Sequence, residues 1–183
     1  MNIVLIGYRG SGKSTVGKSL AERLDMRFVD TDHLIEERQG NQITEIVRLH
    51  GWDGFRAMER KIISEISNDD HLIIAAGGGA VLETENVKYL KRNGFIIWLK
   101  GSMNVLIQRM AKDLRTATGR PSLTGRGTLE ELEEVTAYRM DFYEEASEVQ
   151  VDTSALNVDE VVERILAIFR EKEKGLYQNG RIE

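Results

Sequence analysis

Residues 2–15 read NIVLIGYRGSGKST. Ile3, Val4, Leu5 and Ile6 form a short unbroken apolar run, the pattern of a strand buried on both faces of a parallel sheet. Gly7, Gly10, Gly12, Lys13 and Ser14 follow in the spacing G-x-x-x-x-G-K-S, which is a P-loop. Its glycines permit backbone angles and close approaches that a side chain would block. The loop can therefore curl around a phosphate chain with its amide hydrogens turned inward. Gly10, Ser11, Gly12, Lys13, Ser14 and Thr15 are the expected contacts of a nucleotide's phosphates. Among them Lys13 places positive charge on the outer phosphates and Ser14 offers its hydroxyl to Mg2+. Val16, Leu20, Ala21 and Leu24 recur at helical spacing, so a helix opens at the loop and adds its positive end to the same anion. A glycine-rich turn that binds nothing needs neither the strand before it nor the amphipathic helix after it.

The chain has 183 residues, the size of one compact domain with a real core. Its formal charge of −5 gives no support to a broad nucleic-acid surface. Without cysteine there are no disulfides and no thiolate metal sites, and His33, His50 and His71 lack ligand spacing. No segment offers the ~20 apolar residues of a membrane helix. The first strand begins at once, with no basic leader before it, so a cytoplasmic protein without a signal peptide is expected.

Four further strands are expected: residues 27–30, 72–76, 95–99 and 148–151, with helices between them. This alternation predicts a three-layer α/β/α sandwich on a five-stranded parallel sheet. Between the second and third strands the periodicity predicts short helices around Leu34–Ile35 and over 44–49. A turn at Gly51-Trp52-Asp53-Gly54 and a helix over 55–66 follow. Gly94 is expected to cap the helix over 83–92. Thr128 and Glu131 have the spacing of a capping box. Residues 112–127 break all periodicity and hold four basic residues, three glycines and Pro121, which predicts a surface lid within a single domain of residues 1–174. Residues 175–183 are polar and are expected to form a frayed tail.

A P-loop alone does not name a reaction. Asp30-Thr31-Asp32 and Gly77-Gly78-Gly79 fall at strand ends, where open α/β sheets bind ligands. Asp32, Arg56 and Arg139 point to a second, small, negatively charged ligand, because planar guanidiniums grip a carboxylate in bidentate fashion.

Taken together, Gly7 to Thr15, Asp30-Thr31-Asp32, Phe55-Arg56-x-x-Glu59, Gly77-Gly78-Gly79, Arg120-Pro121 and Arg139-x-x-x-Tyr143 resemble the shikimate kinase family, from the first strand to about Arg170. The resemblance implies a monomeric kinase of the P-loop NTPase type, related to nucleoside monophosphate kinases, with sheet order 2-3-1-4-5. It implies transfer of the ATP γ-phosphate to the 3-hydroxyl of shikimate. By the same resemblance Asp32 meets the accepting hydroxyl, as base or as orienting group, and Asp30 supports Mg2+ through water. Arg56 and Arg139 hold the shikimate carboxylate, Glu59 orients Arg56 or contacts the ring indirectly, and Gly77, Gly78 and Gly79 line the ring. Arg120 reaches the transferring phosphates from the lid and completes a catalytic set with Asp32 and Lys13. Adenine would lie between Arg109 or Arg115 and the 153–158 loop, where this chain has Val158 in place of the proline of many relatives.

Each of these residues also has a plainer reading: Asp30 and Asp32 as acidic residues at a helix start, Arg56, Glu59 and Arg139 as ordinary helix residues, and the triple glycine as a tight turn. Trp52 and Trp98 read as packing residues. Gluconate kinase chemistry and a nucleotide-dependent regulatory or RNA-binding switch are the competing functions. The acidic balance weighs against the switch.

Overall fold

The structure is a computed structural model that describes residues 1–112 and 128–175, with the backbone alone for 128–132, 177–178 and 181–182. Strand β1 (Asn2–Ile6) is the centre of the sheet. It is followed by α1 (Lys13–Leu24), β2 (Arg27–Asp30), α2 (Thr31–Gln39), α3 (Ile43–Ile66) and β3 (Leu72–Ala75). A short 3-10 turn (Ala80–Leu82) leads to α4 (Thr84–Asn93), β4 (Gly94–Lys100) and α5 (Met103–Lys112). The described chain resumes with α6 (Thr128–Ala146), β5 (Val149–Asp152) and α7 (Val158–Glu173). The five strands pair in the order β2-β3-β1-β4-β5, the order that the family resemblance implies, and all are parallel, as the sequence pattern predicts.

Strand side chains alternate between faces, and the continuous apolar runs fill both. Val4 and Ile6 face one layer, with Ile74 and Trp98 beside them, and meet Phe55 and Ile63 of α3 and Tyr143 of α6. Ile3 and Leu5 face the other, with Ile73 and Ile97, against Leu20 of α1 and Val162, Ile165 and Phe169 of α7. The register Ile3↔Ile73 and Val4↔Ile74 keeps the two sets apart across the sheet. A one-residue slip would send each set to the wrong layer. Parallel pairing also brings all the strand ends to one edge, and the P-loop, Asp30 and the triple glycine share that edge.

The structure refines the predicted elements at three points. Residues 43–66 hold the two expected helical segments, but the break between them is shorter than the four-residue turn predicted. Only Gly51 leaves helical geometry (φ 69°, ψ 176°), so Trp52 already lies in the second segment. Gly94 ends α4 at the cap position, as expected, but in an extended conformation (φ −123°, ψ 137°) instead of the left-handed one, and it opens β4. A glycine is needed there for space, since a Cβ would sit 2.3 Å from the Leu90 carbonyl oxygen and 2.7 Å from Val4. The C-terminal stretch is not a frayed tail throughout. β6 (Tyr177–Gln178) pairs antiparallel with β7 (Arg181–Ile182). The intervening Asn179-Gly180 in the sequence is a preferred two-residue hairpin dipeptide that signals this pairing. The predicted lid, and the side chains of the Thr128–Glu131 capping box, lie outside the described residues.

Candidate active site

Gly10, Ser11, Gly12, Lys13, Ser14 and Thr15 line a cleft of about 480 Å3 at the strand-end edge, with Asp30, Asp32, Arg109 and Thr153 on its other walls. Within the P-loop, Lys13 Nζ donates to the carbonyls of Gly7 at 2.8 Å and Tyr8 at 3.0 Å. These bonds lay the lysine stem across the loop and carry its charge to the cleft. Ser11 is buried in the bend of the loop, where its N–H donates to the Tyr8 carbonyl at 3.2 Å and closes the turn. Its hydroxyl has no hydrogen-bond partner among the described residues. Gly12 holds φ 96° at the start of α1, a left-handed angle that leaves the first helical amides open toward the cleft.

Asp30 serves two neighbours at once. Its Oδ1 accepts from the backbone amides of Asp32 at 3.1 Å and His33 at 3.3 Å, capping α2. Its Oδ2 accepts from Ser14 Oγ at 2.6 Å. The plain reading of Asp30 as a helix-start acid is therefore correct and incomplete, because its second oxygen reaches the P-loop. Ser14 and Asp30 present adjacent hard oxygen donors, which fit Mg2+, an ion that takes a few protein oxygens and keeps waters and phosphate oxygens for the rest.

Asp32 lies one residue into the same helix and is buried. It lines both the phosphate cleft and a second, smaller pocket of about 40 Å3 bounded by Arg9, Trp52, Arg56, Glu59, Gly78, Gly79 and Arg139. The structure thus brings Asp32, Arg56 and Arg139 together beside the P-loop. Gly77 stands behind this pocket. A Cβ there would meet Asp32 Oδ1 at 2.6 Å and Glu59 Oε1 at 2.7 Å, and its N–H donates to the buried Thr31 hydroxyl at 2.9 Å. A Cβ on Gly79 would strike the Arg56 guanidinium at 2.2 to 2.9 Å. The triple glycine is therefore a place where four charged side chains, those of Asp32, Glu59, Arg56 and Arg139, approach backbone, not merely a tight turn.

The two arginines are held differently. Arg56 NH1 donates to Glu59 Oε2 at 2.5 Å, and its guanidinium lies 5.7 Å from the Trp52 ring and 5.2 Å from that of Phe55. Trp52 therefore supports the pocket wall as well as packing. Arg139, on α6, donates to the Gly78 carbonyl at 3.0 Å and sits 5.8 Å from the Tyr8 ring. Arg109 bridges Thr153, donating to its Oγ1 and carbonyl oxygen at 2.8 Å each, and so ties α5 to the loop after β5. Arg115 and Arg120 lie outside the described residues. The sequence assigns Thr31 and Arg9 no role of their own: Thr31 sits between two aspartates and Arg9 at an unspecified position of the P-loop motif. The fold sets Thr31 against the Gly77 amide and Arg9 on the pocket wall.

Glu59 is fully buried, and its Oε1 has no hydrogen-bond partner among the described residues. Burial raises its pKa to about 7, with the Arg56 charge opposing and the Asp32 carboxylate adding to the rise. Below about pH 4.5, the ordinary value, folded and unfolded states both hold this proton. Between there and about 7 only the folded state keeps it, so stability falls as pH rises through that window. Chemical denaturation of wild type and Glu59→Gln from pH 4.5 to 8 is expected to show the difference moving toward the variant by on the order of 3 kcal/mol. A difference that stays constant with pH would show that Glu59 is ionised throughout.

Comparisons with known proteins identify the family. The family model for shikimate kinase matches residues 9–170. A shikimate kinase from Syntrophus aciditrophicus is 38% identical over 177 residues, covering 92% of this chain and 91% of that protein. One from Symbiobacterium thermophilum is 40% identical over 172 residues, covering 94% and 98%. The solved shikimate kinase of Acinetobacter baumannii in complex with shikimate superposes with a TM-score of 0.87 at 30% identity, covering 94% of each chain. With its P-loop, its parallel sheet order and a family match across most of its length, the chain belongs to the shikimate kinase family.

Proposed function

We propose that this protein transfers the γ-phosphate of ATP to the 3-hydroxyl of shikimate, giving shikimate 3-phosphate and ADP in the pathway to chorismate and aromatic amino acids. The observation that carries the reading is the double exposure of Asp32, one carboxylate on the wall of both the P-loop cleft and the arginine-lined pocket. A hydroxyl in the small pocket would meet Asp32 on one side and the outer phosphate on the other, the in-line arrangement that phosphoryl transfer needs. Arg56 and Arg139 would hold the acceptor carboxylate, and that grip fixes which hydroxyl faces Asp32. Lys13 and the P-loop amides from Gly10 through Ser11 to Thr15 would bind the β- and γ-phosphates. Arg120 would reach them from residues 112–127, which would cover the site and keep water from the phosphate. Ser14 directly, and Asp30 through water, would hold Mg2+; when bound, the ion neutralises charge building on the phosphate oxygens. Arg109 and the 153–158 loop would flank the adenine. The protein is read as a cytoplasmic monomer acting on small molecules, with no nucleic-acid or membrane partner. Among the described residues, no helix is long and apolar enough to cross a membrane.

A coupled ADP-release assay with shikimate, gluconate and nucleoside monophosphates tests the acceptor. Turnover is expected with shikimate alone, at a level at least about a hundredfold above the others, since a site built around a paired carboxylate leaves its arginines unmatched by the wrong acceptor. Phosphorylation of gluconate without response to shikimate would overturn the assignment.

A further inference from the structure

Gly78 carries a carbonyl that two side chains from one face of α6 grip together. Arg139 donates to it at 3.0 Å, and one helical turn later the Tyr143 hydroxyl donates to the same oxygen. Tyr143 is buried, and its ring stacks on Trp98 of β4 at 5.5 Å with the planes inclined by 26°. The phenol is thus fixed at its ring end by the sheet and at its hydroxyl end by the glycine loop. Burial pushes its pKa up to about 12, so it remains a hydrogen-bond donor at all physiological pH and does not serve as a base.

The peptide joining Gly78 to Gly79 is trans, so the Gly79 N–H points opposite to the Gly78 carbonyl. With the carbonyl turned toward α6, that N–H turns away from α6. Gly79 lines the acceptor pocket, and its N–H meets no acceptor among the described residues. Two features of the pocket therefore depend on one oxygen: the direction of the Gly79 amide and the placement of the Arg139 guanidinium.

We propose that Tyr143 is a positioning residue for acceptor binding, its hydroxyl fixing the Gly78 carbonyl so that Arg139 and the Gly79 amide are held ready for the acceptor. This rests on the kinase reading above. Tyr143 itself lines neither the pocket nor the phosphate cleft. Its effect should accordingly fall on the acceptor and leave ATP alone.

Tyr143→Phe keeps the ring stack and removes only the oxygen. The expected result is a rise in KM for shikimate of about five- to twentyfold, the scale of one lost hydrogen bond at a charged site, with KM for ATP within about twofold and kcat within about threefold. Trp98→Phe serves as the packing control: it should lower the melting temperature and leave the shikimate KM within about twofold. An unchanged shikimate KM in Tyr143→Phe would overturn the proposal. So would equal rises in both KM values, or a Trp98→Phe effect on the shikimate KM as large as that of Tyr143→Phe, since either marks general loosening. Wild type is assayed alongside. If it phosphorylates no shikimate, the functional reading fails. If it does so and Tyr143→Phe matches it, only the role of Tyr143 fails.

Discussion

Replacing Asp32 by Asn is expected to lower kcat by about 10²–10⁴-fold, the range for loss of a positioned acid–base group, while ATP binding stays within about threefold. The substitution keeps the shape of the side chain and removes its charge and its capacity to take a proton. Asp32 is buried and walls the phosphate cleft. However, the loop that cradles the phosphates is held by Lys13 bonding the Gly7 and Tyr8 carbonyls and by the Ser11 amide on Tyr8, and none of those bonds involves Asp32. Nucleotide titration and steady-state kinetics on the same preparation separate the two quantities. The Asp32 carboxylate also contributes to the raised pKa of Glu59, so the variant should show a weaker loss of stability between pH 4.5 and 7 than wild type. A kcat within tenfold of wild type would reduce Asp32 to an orienting group, which a loose, metaphosphate-like transition state permits. Loss of ATP binding would instead move its role to the nucleotide.

The sheet was legible because its signals are local. Unbroken runs such as Ile3 to Ile6 and Leu72 to Ala75 have no reading other than buried elements, and both are strands in the central part of the sheet. The P-loop was legible for the same reason, since its residues are consecutive and the chemistry follows from their order. Other features depend on neighbours distant in the chain. Gly94 reads as a helix cap because glycine commonly ends helices. It does stand at that cap position, and it is also a spacer whose missing Cβ lets Leu90 and Val4 close in, and Val4 is ninety residues away. Gly51 shows the opposite limit: a single positive-φ residue joins the two helical segments where four turn-forming residues suggested a longer turn.

The arginine-lined pocket divides along the same line. Arg56 with Glu59 is an i, i+3 pair, visible in principle on one helix, and it forms. That Glu59 is fully buried, and that its carboxylate and that of Asp32 converge on Gly77, comes from α2, α3 and the β3 end meeting at one point. No periodicity encodes that convergence. Taken alone, Arg139 reads as a surface residue on an acidic helix. Its burial against Gly78 and Tyr8 follows from α6 crossing the strand ends. The family resemblance brought these residues into view, and the packing supplies the physical reason for their proximity.

Arg139→Ala is expected to lower kcat/KM for the acceptor by about 10²–10³-fold, nearly all of it through KM. The magnitude is that of truncating one partner of a desolvated charge pair, about 2–5 kcal/mol. Arg139 is buried and its Nε has no hydrogen-bond partner among the described residues, while NH1 is already committed to Gly78. A carboxylate entering the pocket would therefore meet a guanidinium that is desolvated and pre-aimed, where an ion pair is strong. Arg56 offers a different partner: its NH1 is already committed to Glu59 at 2.5 Å, so it cannot supply the missing grip in full. Arg139→Lys keeps the charge but not the planar fork and should recover only part of the loss. The contrast between the two variants separates charge from geometry. If Arg139→Lys matched wild type, the clamp would be a point-charge effect. If Arg139→Ala kept the wild-type acceptor KM, the carboxylate would have to bind elsewhere, and the pocket beside Asp32 would lose its claim to the acceptor.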